Sequence, residues 1–375
     1  MRTLRARPGA DLLIAVLFAA MLLAPAVAYA LGAGRDNAQF IARSERREPA
    51  PMPPAPGLAA DSPRYTRALE RVIADAFPLR TALIQGYDVT KFVLLGDSSS
   101  DQVLRGRDGW LFLGDREQRA YITGALHVPE IQIDYLTAVF AARAAFCRAH
   151  GTRYVVMFAP DKSTIYPEEL PDAVRLAHPT ILERLVPRLR AAGVEVVDVT
   201  PALLEAKRSG EVYAKGDTHW NARGAYAAYR VLVDRLRSSG ARPFPPASFA
   251  EHPMWQDGDL LRMSGVALVV RDRYIDASIE QRARRVPVPQ YAEPIPDANE
   301  QPYATVRDDA SLPTAVMFGD SFGGALRPLV SESFRRIVHV YYGTQPFNEH
   351  LVAAEHPNVV IQELVERALG SEVEQ

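Results

Sequence analysis

"TAVMFGDSFGGALRPLV", residues 314–330, reads as a strand, a Gly-Asp turn and the start of a helix. Its apolar run is uninterrupted, as expected for a strand covered on both faces. In a parallel α/β sheet, reactive groups collect on the loops at the carboxyl ends of strands. Ser321 falls at such a tip. Its own N–H and those that follow lie at the positive end of a helix, where an oxyanion is stabilised. Gly323 and Gly324 leave room for close approach. The same triplet occurs in "KFVLLGDSSSDQV", residues 91–103. There "SSDQVLRGRDGWLF" is too short and broken to form a helix before the next strand, and Gly-Asp followed by serines is ordinary turn chemistry. Ser321 is therefore the expected nucleophile, and Ser98 a turn residue.

Working outward, helical and strand-like runs alternate from about residue 130. "YLTAVFAARAAFCRAHG" leads into "YVVMFAP", and "ILERLVPRLRAAG" into "VEVVDV". Then come the helix "NARGAYAAYRVLVDRLRSSG", the strand "TAVMFG", the helix "GGALRPLVSESF" and the strand "IVHVYY". "EHPNVVIQELVERAL" supplies a last strand and a short helix. Short apolar runs alternating with helices predict an α/β fold, a parallel sheet with helices on both faces. Residues 241–313 lack this rhythm and read as an irregular insertion. Upstream, a helix is expected over 62–86, followed by two short strand-like runs, "KFVLL" and "GWLFLGD".

The amino-terminal third is organised differently. Arg2, Arg5 and Arg7 precede the uncharged stretch Leu12 to Leu31, long enough to span a bilayer. Basic residues ahead of the span keep that end in the cytoplasm and send the rest outward. The preferred division is a cytoplasmic stub and signal anchor over 1–33, a proline-rich tether over 34–63 and a catalytic domain over 64–375. The rival is a signal peptide cleaved at Ala28-Tyr29-Ala30. The formal net charge of −2 gives no reason to expect a nucleic-acid partner. With 29 prolines and only Lys91, Lys162, Lys207 and Lys215 as lysines, the composition reflects base usage rather than a phosphate-binding surface. Cys147 is the single cysteine, which excludes an internal disulfide, and its helical context makes it a core residue.

A serine nucleophile needs a base, and the base needs an orienting acid. "YAKGDTHWNARGAY", residues 213–226, offers both: Asp217 and His219 are two apart and share a face of an extended segment. Asn221 is placed to cap the helix that follows. No second histidine cluster at ligand spacing accompanies them, so neither a metal nor another cofactor is expected. "GDSFG" also matches the G-x-S-x-G nucleophile elbow, but that topology puts its acid and then its histidine after the serine. Residues 322–375 contain no aspartate and are too few for it. Asp259 is the alternative orienting acid. Lys162 and Tyr166, after "YVVMFAP", are candidate substrate-lining residues, and Arg367 is expected to pair with a buried carboxylate.

In order along the chain stand "SERREPAPMP", "DAFPLR", "VLRGRDGWLF", "APDKSTIYPEELP", "KGDTHWNARGAY", "GDLLRMSG", "FGDSF" and "PNVVIQELVERAL". By these motifs the chain resembles the SGNH-hydrolase-like alginate O-acetyltransferases, the AlgJ and AlgX proteins, from about residue 44 onward. Its anchor, and its end before any carbohydrate-binding module, make it more similar to the membrane-anchored AlgJ type. The resemblance implies an SGNH-like sheet with permuted motif order, Asp-x-His before Ser, and assigns Asp217, His219 and Ser321 as a triad. It further implies an inner-membrane, single-pass protein with its catalytic domain in the periplasm. The acceptor would be a polysaccharide, alginate or another, and a multi-pass membrane acyltransferase would supply the acetyl donor. Two other readings stay open: an acetylesterase with the same triad, and a non-catalytic part of a polysaccharide export complex.

Overall fold

A computed structural model describes residues 8–42, 47–54, 62–126, 128–287, 301–341 and 347–371. Arg2, Arg5 and Arg7, parts of the tether (43–46 and 55–61) and residues 288–300 of the expected insertion lie outside the described residues. The chain divides into two units, Met1–Ser100 with Arg262–Val269, and Asp101–Leu261 with Val270–Gln375.

The first unit is helical. Helix α1 (Pro8–Ala30) contains a window, Asp11–Ala30, with mean hydropathy 2.5, long and apolar enough to cross a membrane. Helices α2 (Asn37–Phe40), α3 (Ser62–Ala76) and α4 (Arg80–Leu94) follow. Here the structure departs from expectation. The helix expected over 62–86 breaks at Pro78, which has no N–H to offer, and resumes at Arg80. "KFVLL" is not a strand: Lys91–Leu94 form the last turn of α4. Asp88 and Phe92, four apart, face inward, while Val93 and Leu94 face outward. A four-residue apolar run does not distinguish the two conformations; the four-residue spacing of Asp88 and Phe92 does.

The second unit opens with a small antiparallel pair, β1 (Val103–Arg105) and β2 (Leu111–Leu113). Helices α5 (Arg116–Thr123) and α6 (Glu130–Ala149) lead into β3 (Arg153–Ala159). Next come α7 (Lys162–Ile165), α8 (Ile181–Ala191), β4 (Glu195–Asp198), α9 (Thr200–Lys207) and α10 (Ala222–Arg235). The segment read as irregular contains β5 (Phe249–Gln256), α11 (Asp259–Met263), β6 (Asp272–Ile279), β7 (Arg284–Val286) and β8 (Tyr303–Val306). The chain finishes through β9 (Thr314–Gly319), α12 (Gly323–Ser331), β10 (Arg336–Tyr341), α13 (Glu349–Glu355), β11 (Val359–Val365) and α14 (Ala368–Ser371).

Seven strands form one sheet in the order β4-β3-β11-β9-β10-β8-β7. The first five are parallel; β8 and β7 extend the sheet antiparallel from β10. Every residue of β11, and all but the first of β3 and β9, is buried. Successive side chains alternate between faces, so both faces of the sheet are covered, as an all-parallel centre requires. Cys147 is fully buried within α6, as expected. Parallel pairing also puts the ends of β3, β9 and β11 along one edge, carrying Lys162, Ser321 and Arg367 on the segments just beyond them.

Candidate active site

Asp217 and His219 sit on the loop between α9 and α10, pinched by a bridge between Tyr213 and Trp220. Asn221 closes the loop as expected: its carboxamide oxygen accepts from Gly224 N–H (3.1 Å), capping α10, while its amide donates to the Glu211 carbonyl (2.7 Å). On the other side the loop is clasped by the stretch after β5. The Gly216 carbonyl accepts from Leu260 N–H (3.1 Å), and Asp272 Oδ2 accepts from Gly216 N–H (2.7 Å). Gly258 is required here, because a Cβ on it would lie 2.0 Å from the Gly216 carbonyl oxygen.

Inside this clasp His219 Nδ1 lies 2.7 Å from Asp217 Oδ1, which also accepts from the His219 backbone N–H (3.0 Å). Asp217 Oδ2 accepts from Asp259 N–H (3.1 Å). Burial pushes the Asp217 carboxyl up, but its bond to His219, the charge of that ring and the two backbone donors outweigh this, lowering its pKa to about 2. Asp259 stands behind, with Oδ2 3.7 Å from His219 Nδ1. It accepts from Thr218 N–H (2.7 Å) and from the Thr218 hydroxyl (2.5 Å). Asp217, His219 and Asp259 are close enough together to hold a cation. Their facing atoms are already matched to one another and to N–H and O–H donors, an arrangement suited to orienting an imidazole.

The second half of the site is the turn after β9. Ser321 lines an open cleft of about 320 Å³ together with Asp217, His219, Trp220, Gln256, Tyr274, Phe322 and Ala325. Trp220 Nε1–H donates to the Phe322 carbonyl (3.0 Å), and the Phe322 ring lies 4.9 Å from the imidazole, so the two loops are joined directly. His219 Nε2 has no hydrogen-bond partner among the described residues.

Within the turn, Phe322 N–H donates to Asp320 Oδ1 (2.8 Å), Gly323 N–H to the Asp320 carbonyl (3.1 Å) and Gly324 N–H to the Ser321 carbonyl (3.1 Å). Ser321 N–H is left with no acceptor among the described residues. The oxyanion donors expected from several N–H groups thus narrow to that of Ser321. Beneath the turn, Asp320 Oδ2 accepts from Val365 N–H (2.6 Å), and Glu363 Oε2 accepts from Asp320 N–H (3.1 Å). Burial, reinforced by the Asp320 charge, pushes the Glu363 carboxyl well above the ordinary glutamate range, which favours its protonated form beside Asp320.

The other candidates fall away from the cleft. Ser98 is buried in the first unit, its hydroxyl accepting from Ser100 N–H (3.1 Å) in a serine turn. Lys162 and Tyr166, expected to line the substrate site, do not border the Ser321 cleft. The Lys162 ammonium, buried over the rings of Trp110 and Phe112, donates to the carbonyls of Ala214 and Lys215 (both 2.9 Å) and so supports the His219 loop from below. Burial lowers its pKa to about 7 against the upward pull of Asp217, Asp259, Asp272 and Glu211. The Tyr166 hydroxyl accepts from Val212 N–H (2.9 Å), with its ring on Trp110. Arg367 pairs with buried Asp161 (2.6 Å), as expected. Gln256 and Tyr274 were missed. They come from β5 and β6, and only the pairing of that hairpin, invisible in a single run of sequence, brings them to the cleft.

The family model "SGNH hydrolase-like domain, acetyltransferase AlgX" matches residues 103–340. A protein of Pseudomonas aeruginosa named "Probable alginate O-acetylase AlgJ" is 28% identical over 207 residues, 52% of this chain and 49% of that one. The protein of the same name from Pseudomonas syringae is 28% identical over 187 residues, 50% of this chain and 46% of its own length. The chain thus spans about half the length of these relatives. Among solved structures, the O-acetyltransferase domain of Pseudomonas putida AlgJ aligns with TM-score 0.50 at 22% identity, covering 72% of this chain and 92% of that one. Bacillus cereus PatB1 aligns with TM-score 0.52 at 14% identity, covering 71% and 96%. Both likenesses are of fold.

Proposed function

The chain belongs to the family of SGNH hydrolase-like, AlgX-type acetyltransferase domains, and on that footing we propose that it is an extracytoplasmic O-acetyltransferase acting on hydroxyls of a polysaccharide, alginate or another exopolysaccharide. Ser321 is the nucleophile, His219 the general base and Asp217 the residue that orients the base and stabilises its imidazolium form. One observation carries this reading. An imidazole fixed through Nδ1 by a buried carboxylate at 2.7 Å keeps an unpartnered Nε2 and shares a cleft with a serine at a strand tip.

In the first half-reaction Ser321 Oγ attacks the acetyl carbonyl as its proton passes to His219 Nε2. Ser321 N–H faces the developing oxyanion, and the carbon–oxygen or carbon–sulfur bond to the donor breaks as His219 returns the proton to the leaving atom. In the second, a sugar hydroxyl gives its proton to His219 and attacks the acetyl-serine. Collapse releases the O-acetyl sugar, and the proton returns to Ser321 Oγ. Asp217 remains ionised throughout and stabilises the imidazolium formed in each half.

We read α1 as an uncleaved anchor in the inner membrane, with the second unit in the periplasm and a multi-pass membrane acyltransferase as source of the acetyl group. The span of α1 supports the anchor, and the name "alginate O-acetylase" borne by relatives supports acetyl transfer. The test is incubation of the purified protein with an activated acetyl ester and candidate oligosaccharides, with products read by mass. An oligosaccharide heavier by one acetyl group, absent in Ser321→Ala, is expected. Release of free acetate alone, with no acetylated sugar at any acceptor concentration, refutes transfer and leaves an esterase.

A further inference from the structure

The outward face of α4 carries no charge. Ala82, Leu83, Gly86, Tyr87, Thr90, Val93 and Leu94 are all exposed, at the spacing of one helix face. Leu83 is 60% exposed, Tyr87 62% and Leu94 75%, whereas Asp88 points inward at 8%. This inverts the amphipathic pattern of a solvated helix. Neighbouring α3 behaves normally, with Arg64, Arg67, Glu70 and Arg71 outward. Isolated apolar side chains on a surface need no explanation, but a contiguous uncharged face marks a binding surface.

Where α4 begins is fixed relative to α1. The Asn37 amide, seven residues beyond the end of α1, donates to the carbonyls of Asp75 (3.0 Å) and Phe77 (2.9 Å). Its oxygen accepts from the Thr81 hydroxyl in the first turn of α4 (2.8 Å). Gly34 packs so closely on Pro78 that a Cβ would lie 3.0 Å from its Cα. The start of α4 is thereby held where α1 ends, and its fifteen residues run about 22 Å from that point.

We infer that α4 lies in the headgroup region of the leaflet from which α1 emerges, with Leu83, Tyr87, Val93 and Leu94 against the acyl chains. The occupant of this face is a lipid surface, and the inference rests on the reading of α1 as an uncleaved anchor. Continuity favours lipid over a protein partner, because the α1 window is itself fully unburied and the hydrogen-bonded junction brings α4 to the same boundary. A tyrosine among leucines suits an interface where one end of the ring is wet and the rest apolar.

The experiment uses the full chain in vesicles of phosphatidylethanolamine and phosphatidylglycerol. Cys147 is buried, so nitroxide labels go to introduced cysteines. Leu83→Cys and Leu94→Cys probe α4, Glu70→Cys gives the water reference and Val16→Cys the lipid reference. Collision with dissolved oxygen is compared with collision with a water-soluble nickel chelate. A ratio severalfold higher at 83 and 94 than at 70, approaching that at 16, is expected. Ratios at 83 and 94 equal to that at 70, with 16 in lipid, overturn the inference and leave the anchor standing. Shielding of 83 and 94 from both reagents also overturns it, because a protein then covers the face. Water accessibility at 16 removes the anchor itself, and the inference with it.

Discussion

Asp217→Asn isolates what the carboxylate charge contributes, because asparagine keeps an oxygen where Oδ1 stands. The fall of the Asp217 pKa from the ordinary aspartate value to about 2 is equivalent to about 2 to 3 kcal/mol. The side-chain bond to His219 and that ring's charge are the largest of the favourable causes. If that interaction is realised in full when the imidazolium forms, its loss slows the acetyl-enzyme step by about seventyfold. Misorientation of the ring adds to this, since nothing then forces the Nδ1–H tautomer, and a total loss of about 10³- to 10⁴-fold is expected. Asp259, 3.7 Å from Nδ1, softens the effect, so Asp217→Asn/Asp259→Asn should be slower than Asp217→Asn alone. The assay is the single-turnover burst with a chromogenic acetyl ester. Stability follows the same linkage: Asp217 binds its proton less readily folded than unfolded, so its contribution is complete above the ordinary aspartate range and disappears as pH falls toward 2. A burst rate within about threefold of the parent, well under the loss expected from charge alone, would refute the reasoning and make Asp217 a loop residue.

Ser321→Ala should abolish acetyl-ester turnover while Ser98→Ala, altering a turn in the other unit, leaves it intact; steady-state rates on folded variants decide. Lys162→Met strands two loop carbonyls and should lower unfolding free energy by about 2–4 kcal/mol in urea titrations. Because the Lys162 pKa is depressed to about 7, the unfolded chain binds the extra proton, and the parent should gain stability as pH rises from about 7 toward the ordinary lysine range. The Met variant should lack that gain. Glu363 has the opposite sign: its pKa is raised, so its contribution is complete below the ordinary glutamate range and declines as pH rises. Glu363→Gln, which mimics the protonated acid, should keep activity and flatten that slope. Activity lost equally in Glu363→Gln and Glu363→Ala would remove the protonated-acid reading.

The features legible in sequence were those specified by short-range rules. An uninterrupted apolar run before Gly-Asp-Ser indicated a buried strand ending just before Ser321. An asparagine before "ARGAY" indicated a cap, and two residues' spacing put Asp217 beside His219. "KFVLL" misled because its helical phase depends on Asp88 and Phe92, an inward pair of which one member is charged. Lys162 and Tyr166 illustrate a related limit. A polar residue after a strand looks available for substrate until its partners are known, and here those are backbone groups of residues 212–215. The cleft wall from Gln256 and Tyr274 had no local signature, since the exposed strand β5 and the half-buried strand β6 carry no continuous apolar run.

The position of β11 has a consequence for the chain as it is made. This last strand lies at the centre of the sheet, between β3 and β9, and not at an edge. Until it arrives those two strands share no border, and Asp320 has no Val365 N–H to hold the nucleophile turn. Vectorial synthesis therefore delivers the nucleophile turn before the strand that holds it through Val365. Before then, β3 and β9 each present an unpaired strand edge that invites misassociation. The nucleophile turn gains its Val365 anchor only when residues 359–365 take their place between β3 and β9.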